Sequence, residues 1–255
     1  MTLLRALLAA TLALAPANAA LRAQDATVIR PGSREVDGSR VAARTDTFAV
    51  MVLRDGREIP MAYLELRTTL VTAAGAPAVS RVERMRMLDG MEVSVDSFAL
   101  AAATLAPLSY VVRAGTEEAS LAFAGLDVSG TRSDDGKSEP VSVRLAAPVF
   151  LSNSMDVILS ALPLAEGRAF RWERLREDDA RVDSVEVRVA GRETVRTTSG
   201  GSCTAWRVET RSGGRAAVYW VERETGELLQ YADEDQRFVI LRHRTCPAGD
   251  DAVRA

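Results

Sequence analysis

The side chains that usually perform nucleophilic and metal chemistry are almost absent from this chain: it holds one histidine, His243, and two cysteines, Cys203 and Cys246, in 255 residues. A Ser-His-Asp hydrolase would have to use His243, yet the glycine-flanked serine of a nucleophile elbow is missing, and in "GGSCT", Gly200 to Thr204, the glycines stand in the wrong places. Zinc asks for several His or Cys ligands, and no phosphate-binding loop, dinucleotide fingerprint or H-E-x-x-H motif is present. No metal and no cofactor is therefore expected. The remaining candidates for acid and base chemistry are carboxylates, at Asp134-Asp135, Asp178-Asp179, Asp233-Glu234-Asp235 and Asp250-Asp251. Each run falls at a turn or in the tail, where Asp accepts bonds from nearby backbone. An acid and base pair would have to be assembled across the fold from distant segments. For "ADEDQ", Ala232 to Gln236, a calcium site stands as an alternative to a solvated turn.

The N-terminus suggests a compartment. Arg5, an apolar Ala and Leu run broken by Pro16, and "ANA" at Ala17 to Ala19 read as a secretory signal peptide over residues 1–23, with no transmembrane span left after its removal. A periplasmic or secreted location follows. In that oxidising route Cys203 and Cys246 are expected to join. Acidic and basic residues are interspersed and the net charge is −3, so no basic stripe exists for nucleic acid.

These residues need elements to position them. From Thr45 onward the apolar pattern has a period of two, clearest in "DSVEVRV", where Val185, Val187 and Val189 share one face. Turn signals recur at Asp55-Gly56, Gly75, Asp89-Gly90, Gly115, Asp135-Gly136, Gly191, Gly213-Gly214 and Thr225-Gly226. The reading is mostly β: a single large curved antiparallel sheet or half-barrel of about a dozen strands. An extended segment, 24–44, precedes the β domain at 45–246, and a flexible tail, 247–255, follows it. One segment, "LSNSMDVILSALPLAEG", breaks the rhythm: it offers Ser152, Asn153 or Ser154 as N-cap, Asp156 in the first turn and Pro163 as the stop, which predicts one short helix over about 153–162. "DSFALAAATLAP", Asp96 to Pro107, fits either a second helix or a strand end and loop.

The C-terminal hairpins have the sharpest pattern. A three-residue loop at Ser212 to Gly214 sets Trp206 opposite Trp220 on the core-facing side, whereas a two-residue Gly-Gly loop sets Trp220 against Arg207. The first register keeps the apolar sets together and is the one expected. Val218 to Val221 are all apolar, so both faces of that strand need cover. Strands at about 202–211, 215–222, 227–232 and 236–244 put Cys203 and Cys246 at one edge, but about 14 Å apart in a flat sheet, so a disulfide requires the sheet to curl or the tail to fold back.

The order of "TLAPLSYVVRAG", "DVILSALPLAEG", "VAGRETVRTTSGGSCTAWRVE" and "VYWVERETGELLQY" resembles a family of secreted bacterial proteins known as domain of unknown function 3108. The last pattern also looks like the envelope lipoprotein carriers LolA and LolB, and that likeness implies a curved sheet holding acyl chains under small helices. Three functions are compatible with this reading. Val157, Ile158, Leu159 and Leu162 of the helix, with Trp206, Tyr219 and Trp220 of the sheet, either close an ordinary core or leave an apolar cleft for a lipid or acyl chain. A carboxylate-dependent hydrolase is the alternative, and an envelope scaffold that binds other envelope proteins is the third.

Overall fold

The computed structural model describes residues 26–54, 57–198, 201–233 and 238–242. The expected signal peptide, the expected 247–255 tail, His243, Cys246 and most of "ADEDQ" lie outside the described residues.

Alternating sequence becomes strand throughout. In chain order they are β1 (Thr27–Val28), β2 (Arg44–Arg54), β3 (Arg57–Ala73), β4 (Ala76–Met87), β5 (Glu92–Ala101), β6 (Pro107–Ala114), β7 (Glu117–Ala124), β8 (Asp127–Asp134), β9 (Lys137–Arg144), β10 (Phe150–Leu151), β11 (Ala169–Arg176), β12 (Arg181–Arg196), β13 (Ser202–Ser212), β14 (Arg215–Glu222), β15 (Leu228–Asp233) and β16 (Phe238–Arg242). The one α-helix among the described residues, α1 (Met155–Ala161), follows a 3-10 turn at Ser152–Ser154. The mostly β curved sheet is as expected, with sixteen strands among the described residues, two of them only two residues long, and "DSFALA" continues β5 instead of turning helical. Its Phe98 and Leu100 point into the core at 2% and 0% exposure, which a strand achieves with period two.

The strands form one sheet in the order β1, β11 to β16, then β2 to β9, with β10 beside β11. Neighbours are antiparallel except β1 and β10, which run parallel to β11. A flat sheet of this width would span roughly 65 Å at about 4.8 Å per strand. Instead one hydrophobic cluster contains Leu121 and Val128 from one arm together with Phe170, Trp172, Val185 and Val187 from the other, so the sheet curls until its arms share a core. The segment before β2 joins in, burying Ile29, Val36 and Val41. The outermost strand β9 carries Pro140 and Lys137, residues that discourage further pairing at an edge.

Helix α1 lies inside the curl, and all seven of its residues are buried. It stays short because Leu162 is held extended at φ −88°, ψ 147° ahead of Pro163. Ser154 occupies the N-cap position, but its hydroxyl donates to Leu151 O at 2.8 Å and caps nothing. The β14–β15 turn presses on the helix: a Cβ at Gly226 would stand 2.9 Å from Ser160 O, and its φ of +70° also favours glycine.

The expected register of the β13–β14 hairpin is overturned. Ser212 pairs with Arg215, so the loop is the two residues Gly213 and Gly214, and Trp220 faces Arg207 while Trp206 faces Val221. Both glycines have positive φ, +56° and +83°, the conformation of a two-residue loop whose twist matches the strands. That backbone preference outweighs the pairing of two indoles. Trp206 and Tyr219 therefore face the helix side, and Trp220 faces outward, joining Val195, Cys203, Ala205 and Leu229 in a second cluster. Each face of β14 thus has its own cover. Trp220 donates to Glu193 Oε2 at 2.7 Å, beside the Arg207 and Glu209 ion pair. Trp220→Phe, which loses that one half-exposed bond, should lower stability by no more than about 1 kcal/mol. Urea unfolding checks this, and a loss above about 3 kcal/mol would restore a core role for the indole. Cys203 is buried at 5% exposure at the start of β13; its expected partner is not among the described residues.

Candidate functional site

Alternation gives the sheet a concave face whose rows can be followed strand by strand. One row runs Val189, Val208, Tyr219, Tyr231, Ile240, Val50, Ala62, Met87 across eight neighbouring strands, all apolar or aromatic. A parallel row places Phe48, Leu64 and Met85 side by side. Tyr219, Tyr231, Ile240, Leu64, Met85 and Met87 are only half-buried, although they point inward. The Tyr219 and Tyr231 rings meet edge to face at 4.8 Å between centroids. This belt is the apolar surface within the curl that α1 leaves partly open.

On the other arm the corresponding row turns from apolar to charged: Leu66, Glu83, Asp96, Val112, Ala119, Arg132, Glu139. It leads into a cleft of about 830 Å³ at the mouth of the curl, between the β6–β9 hairpins and the β11–β14 rim. Tyr110, Arg132, Asn153, Arg174, Glu177 and Arg215 are among its lining residues. Arg174 is held by Asp183 at 2.8 Å and by Ser212 at 3.0 Å. The buried Nε of Arg132 has no partner among the described residues. Belt and cleft adjoin, since the charges of Arg174 and Arg215 act on the Tyr231 hydroxyl. Burial drives the Tyr219 and Tyr231 hydroxyls above their ordinary range, so both stay protonated.

Beneath the cleft, α1 is fixed by charge. Arg81, fully buried on β4, donates from Nη2 to Asp156 Oδ2 at 2.5 Å and from Nη1 to Thr68 Oγ1 at 2.7 Å, with Glu83 at 3.4 Å. Asp46 pairs with Arg44 at 2.7 Å and adds its charge to the same region. Asn153, just before α1, bridges two carboxyl groups and a phenol: its backbone N–H donates to Glu177 Oε1 at 3.2 Å, and its Nδ2 lies 3.2 Å from the Tyr110 hydroxyl and 3.4 Å from Asp96 Oδ2. Burial raises Asp96 to about 6 and Glu177 to about 7. It raises Glu83 to about 8 even though Arg81 pulls the other way. Carboxylates from β4, β5 and the residue after β11 therefore converge; Glu83 and Asp96 stand alone in their strands, while Glu177 directly precedes the Asp178-Asp179 run. Their signal was a charged residue at an inward position of an alternating strand, as in "RVERMRM".

The residues expected to line an apolar cleft separate into three groups. Val157, Ile158, Leu159 and Leu162 are at 0% to 1% exposure in the main core and line neither the mouth cleft nor the smaller cleft beside Arg40 and Pro163. Trp206 and Tyr219 pack partly against that core, and Trp206 also lines the smaller cleft. Trp220 stands on the opposite face.

Among the described residues no helix is long and apolar enough to cross a membrane. No curated protein matches the chain. Similar solved structures include a β-barrel-like protein of domain of unknown function DUF1849 from Brucella abortus, 11% identical, with TM-score 0.47 over 83% of this chain and 96% of that one. Another is a protein with a YmcC-like fold from Bacteroides fragilis, 9% identical, with TM-score 0.34 over 85% of this chain and 99% of that one. The family model for protein of unknown function (DUF3108) matches residues 52–239, and the chain belongs to that family.

Proposed function

We propose that this is a ligand-binding protein of the bacterial envelope that holds a single-chain amphiphile on its concave face, with the tail along the belt and a zwitterionic head in the mouth cleft. The observation that carries the reading is the division of the concave face into an apolar row and a charged cleft. The cleft volume, about 830 Å³, lies within the range of ligand sites. Its cations and carboxylates are interspersed, which suits a head group bearing both signs. The N-terminal apolar run supports an exported protein. The tail site differs from the helix and sheet seam expected from sequence, because a ligand there would have to displace α1.

A fluorescent zwitterionic lysophospholipid tests this reading. The mature protein should bind it saturably, and Ile240→Glu should weaken binding about tenfold or more, 1.4 kcal/mol, while Arg188→Glu on the outer face should not. Arg132→Gln should weaken the lysophospholipid but not an uncharged monoacylglycerol. No saturable binding at micromolar protein would refute the proposal. The convergence of Asp96 and Glu177 on Asn153 favours a second reading, a hydrolase in which one protonated carboxyl serves as acid and another carboxylate as base. Release of fatty acid from the same probe, abolished by Glu177→Gln, would establish that activity instead.

A further inference from the structure

We infer that Met85, Met87 and Met91 form a site for a soft monovalent cation, copper(I) or silver(I), held by three thioether sulfurs at the rim of the curl. The chain has seven methionines, and five of them, Met51, Met61, Met85, Met87 and Met91, fall within β2 to β5 and the β4–β5 turn. The stretch "MRMLDGM" contributes three in seven residues. Met85 and Met87 sit two apart on β4, so their side chains leave the same concave face at a spacing of about 7 Å.

The turn brings in the third. Met87 N–H donates to Met91 O at 2.8 Å, and Gly90 N–H donates back to Met87 O at 2.9 Å, which closes a three-residue loop with Gly90 at φ +90°. Met87 and Met91 are thereby opposed across the hairpin, with a Cβ separation of about 5 Å expected for such a pair. The neighbouring pair fixes the face: Arg86 opposes Glu92, and Glu92 lies 3.6 Å from Arg86 and 3.1 Å from Arg84 on the outer side. Met91 therefore returns to the concave side with Met87. Asp89 Oδ1 accepts from Met91 N–H at 3.0 Å, which holds the backbone of the turn and puts a carboxylate close by.

Packing does not account for Met91, which is 59% exposed and follows the 51% exposed Leu88 in the same turn. Three flexible thioethers at an open rim can converge on one ion, and neutral sulfur donors of this kind select soft copper(I) over zinc, calcium or magnesium. Silver binding needs only the sulfurs and not the amphiphile, although Met85 and Met87 also belong to the belt.

Silver(I), in chloride-free buffer, is the probe. The mature chain should take up one more silver ion than the Met85→Leu/Met87→Leu/Met91→Leu protein by native mass spectrometry, while any silver on the cysteines is common to both. With methionine methyl groups labelled with carbon-13, silver should shift the resonances of Met85, Met87 and Met91 and leave buried Met155 in place. Met87→Leu alone should weaken uptake about tenfold. Ile240→Glu, outside the methionine cluster, should lose the lysophospholipid but keep the extra silver ion, which separates failure of one proposal from failure of the other. Equal silver uptake by parent and triple variant, or unmoved methyl resonances, would leave the patch as an apolar rim only and overturn the assignment.

Discussion

Arg81→Met should destabilise the protein by roughly 3 to 5 kcal/mol, the range for removing one partner of a buried ion pair. The guanidinium is fully buried and supplies the contacts that satisfy Asp156 and Thr68 and lie against Glu83. Without it, the Asp156 carboxylate on α1 stays buried near Glu83 with no compensating charge. A methionine occupies similar volume, so the cost measures charge and hydrogen bonding more than a cavity. The pair as a whole is a different matter. Replacing a buried pair by apolar groups is often close to neutral, so Arg81→Met/Asp156→Leu should recover most of the loss and fall within about 2 kcal/mol of the parent. The coupling energy from such a cycle, read by urea unfolding, should exceed about 2 kcal/mol. A single-variant loss under about 1 kcal/mol, or a double variant as costly as the sum of the singles, would show that Arg81 does not anchor the helix.

This anchor shows where sequence reading works and where it stops. Alternation in "DSVEVRV" fixed the faces of β12, and Val185, Val187 and Val189 are indeed at 0% to 1% exposure. Pro163 ended the helix and the Gly-containing turns bounded the C-terminal strands, because these signals act within a few residues. The β13–β14 register failed on a local question decided by two left-handed glycines. The site was less legible still. Asp96, Asn153 and Glu177 are far apart in sequence and meet only because the sheet curls and α1 enters it. Single charges at inward positions of "RVERMRM" and "VSVDSFAL" look like flaws in the apolar pattern. In the folded chain they are the charged half of the concave face.

Stability should fall as pH rises from about 5 to 9, the reverse of the usual carboxylate behaviour. Glu83, Glu177 and Asp96 are pushed up to about 8, about 7 and about 6, each chiefly by burial. A carboxyl whose folded value lies above its unfolded one favours the folded state most fully below the unfolded value, near pH 4. That contribution is lost as pH climbs through the folded value, because ionisation is then easier in the unfolded chain. The window is therefore roughly pH 4 to 8 for Glu83 and narrower for the other two. Asp178 and Asp183, lowered beside Arg176 and Arg174, work in the opposite sense and lose their contribution only toward the acid side of pH 4. A pKa that differs by one between the folded and unfolded chain corresponds to about 1.4 kcal/mol. If relaxation and solvent screening cut the difference for each raised group to about one, the combined loss is still about 4 kcal/mol. For a domain of this size that corresponds to a fall in Tm of roughly 10 °C. Glutamine mimics the protonated acid, so Glu83→Gln/Glu177→Gln should flatten most of the slope while leaving the stability at pH 5 nearly unchanged. Thermal melts of both proteins across pH 4 to 9 decide it: a parent whose Tm is level from pH 5 to 8.5, or a double variant with the parent's slope, would mean that these acids are ionised and well solvated in the folded protein.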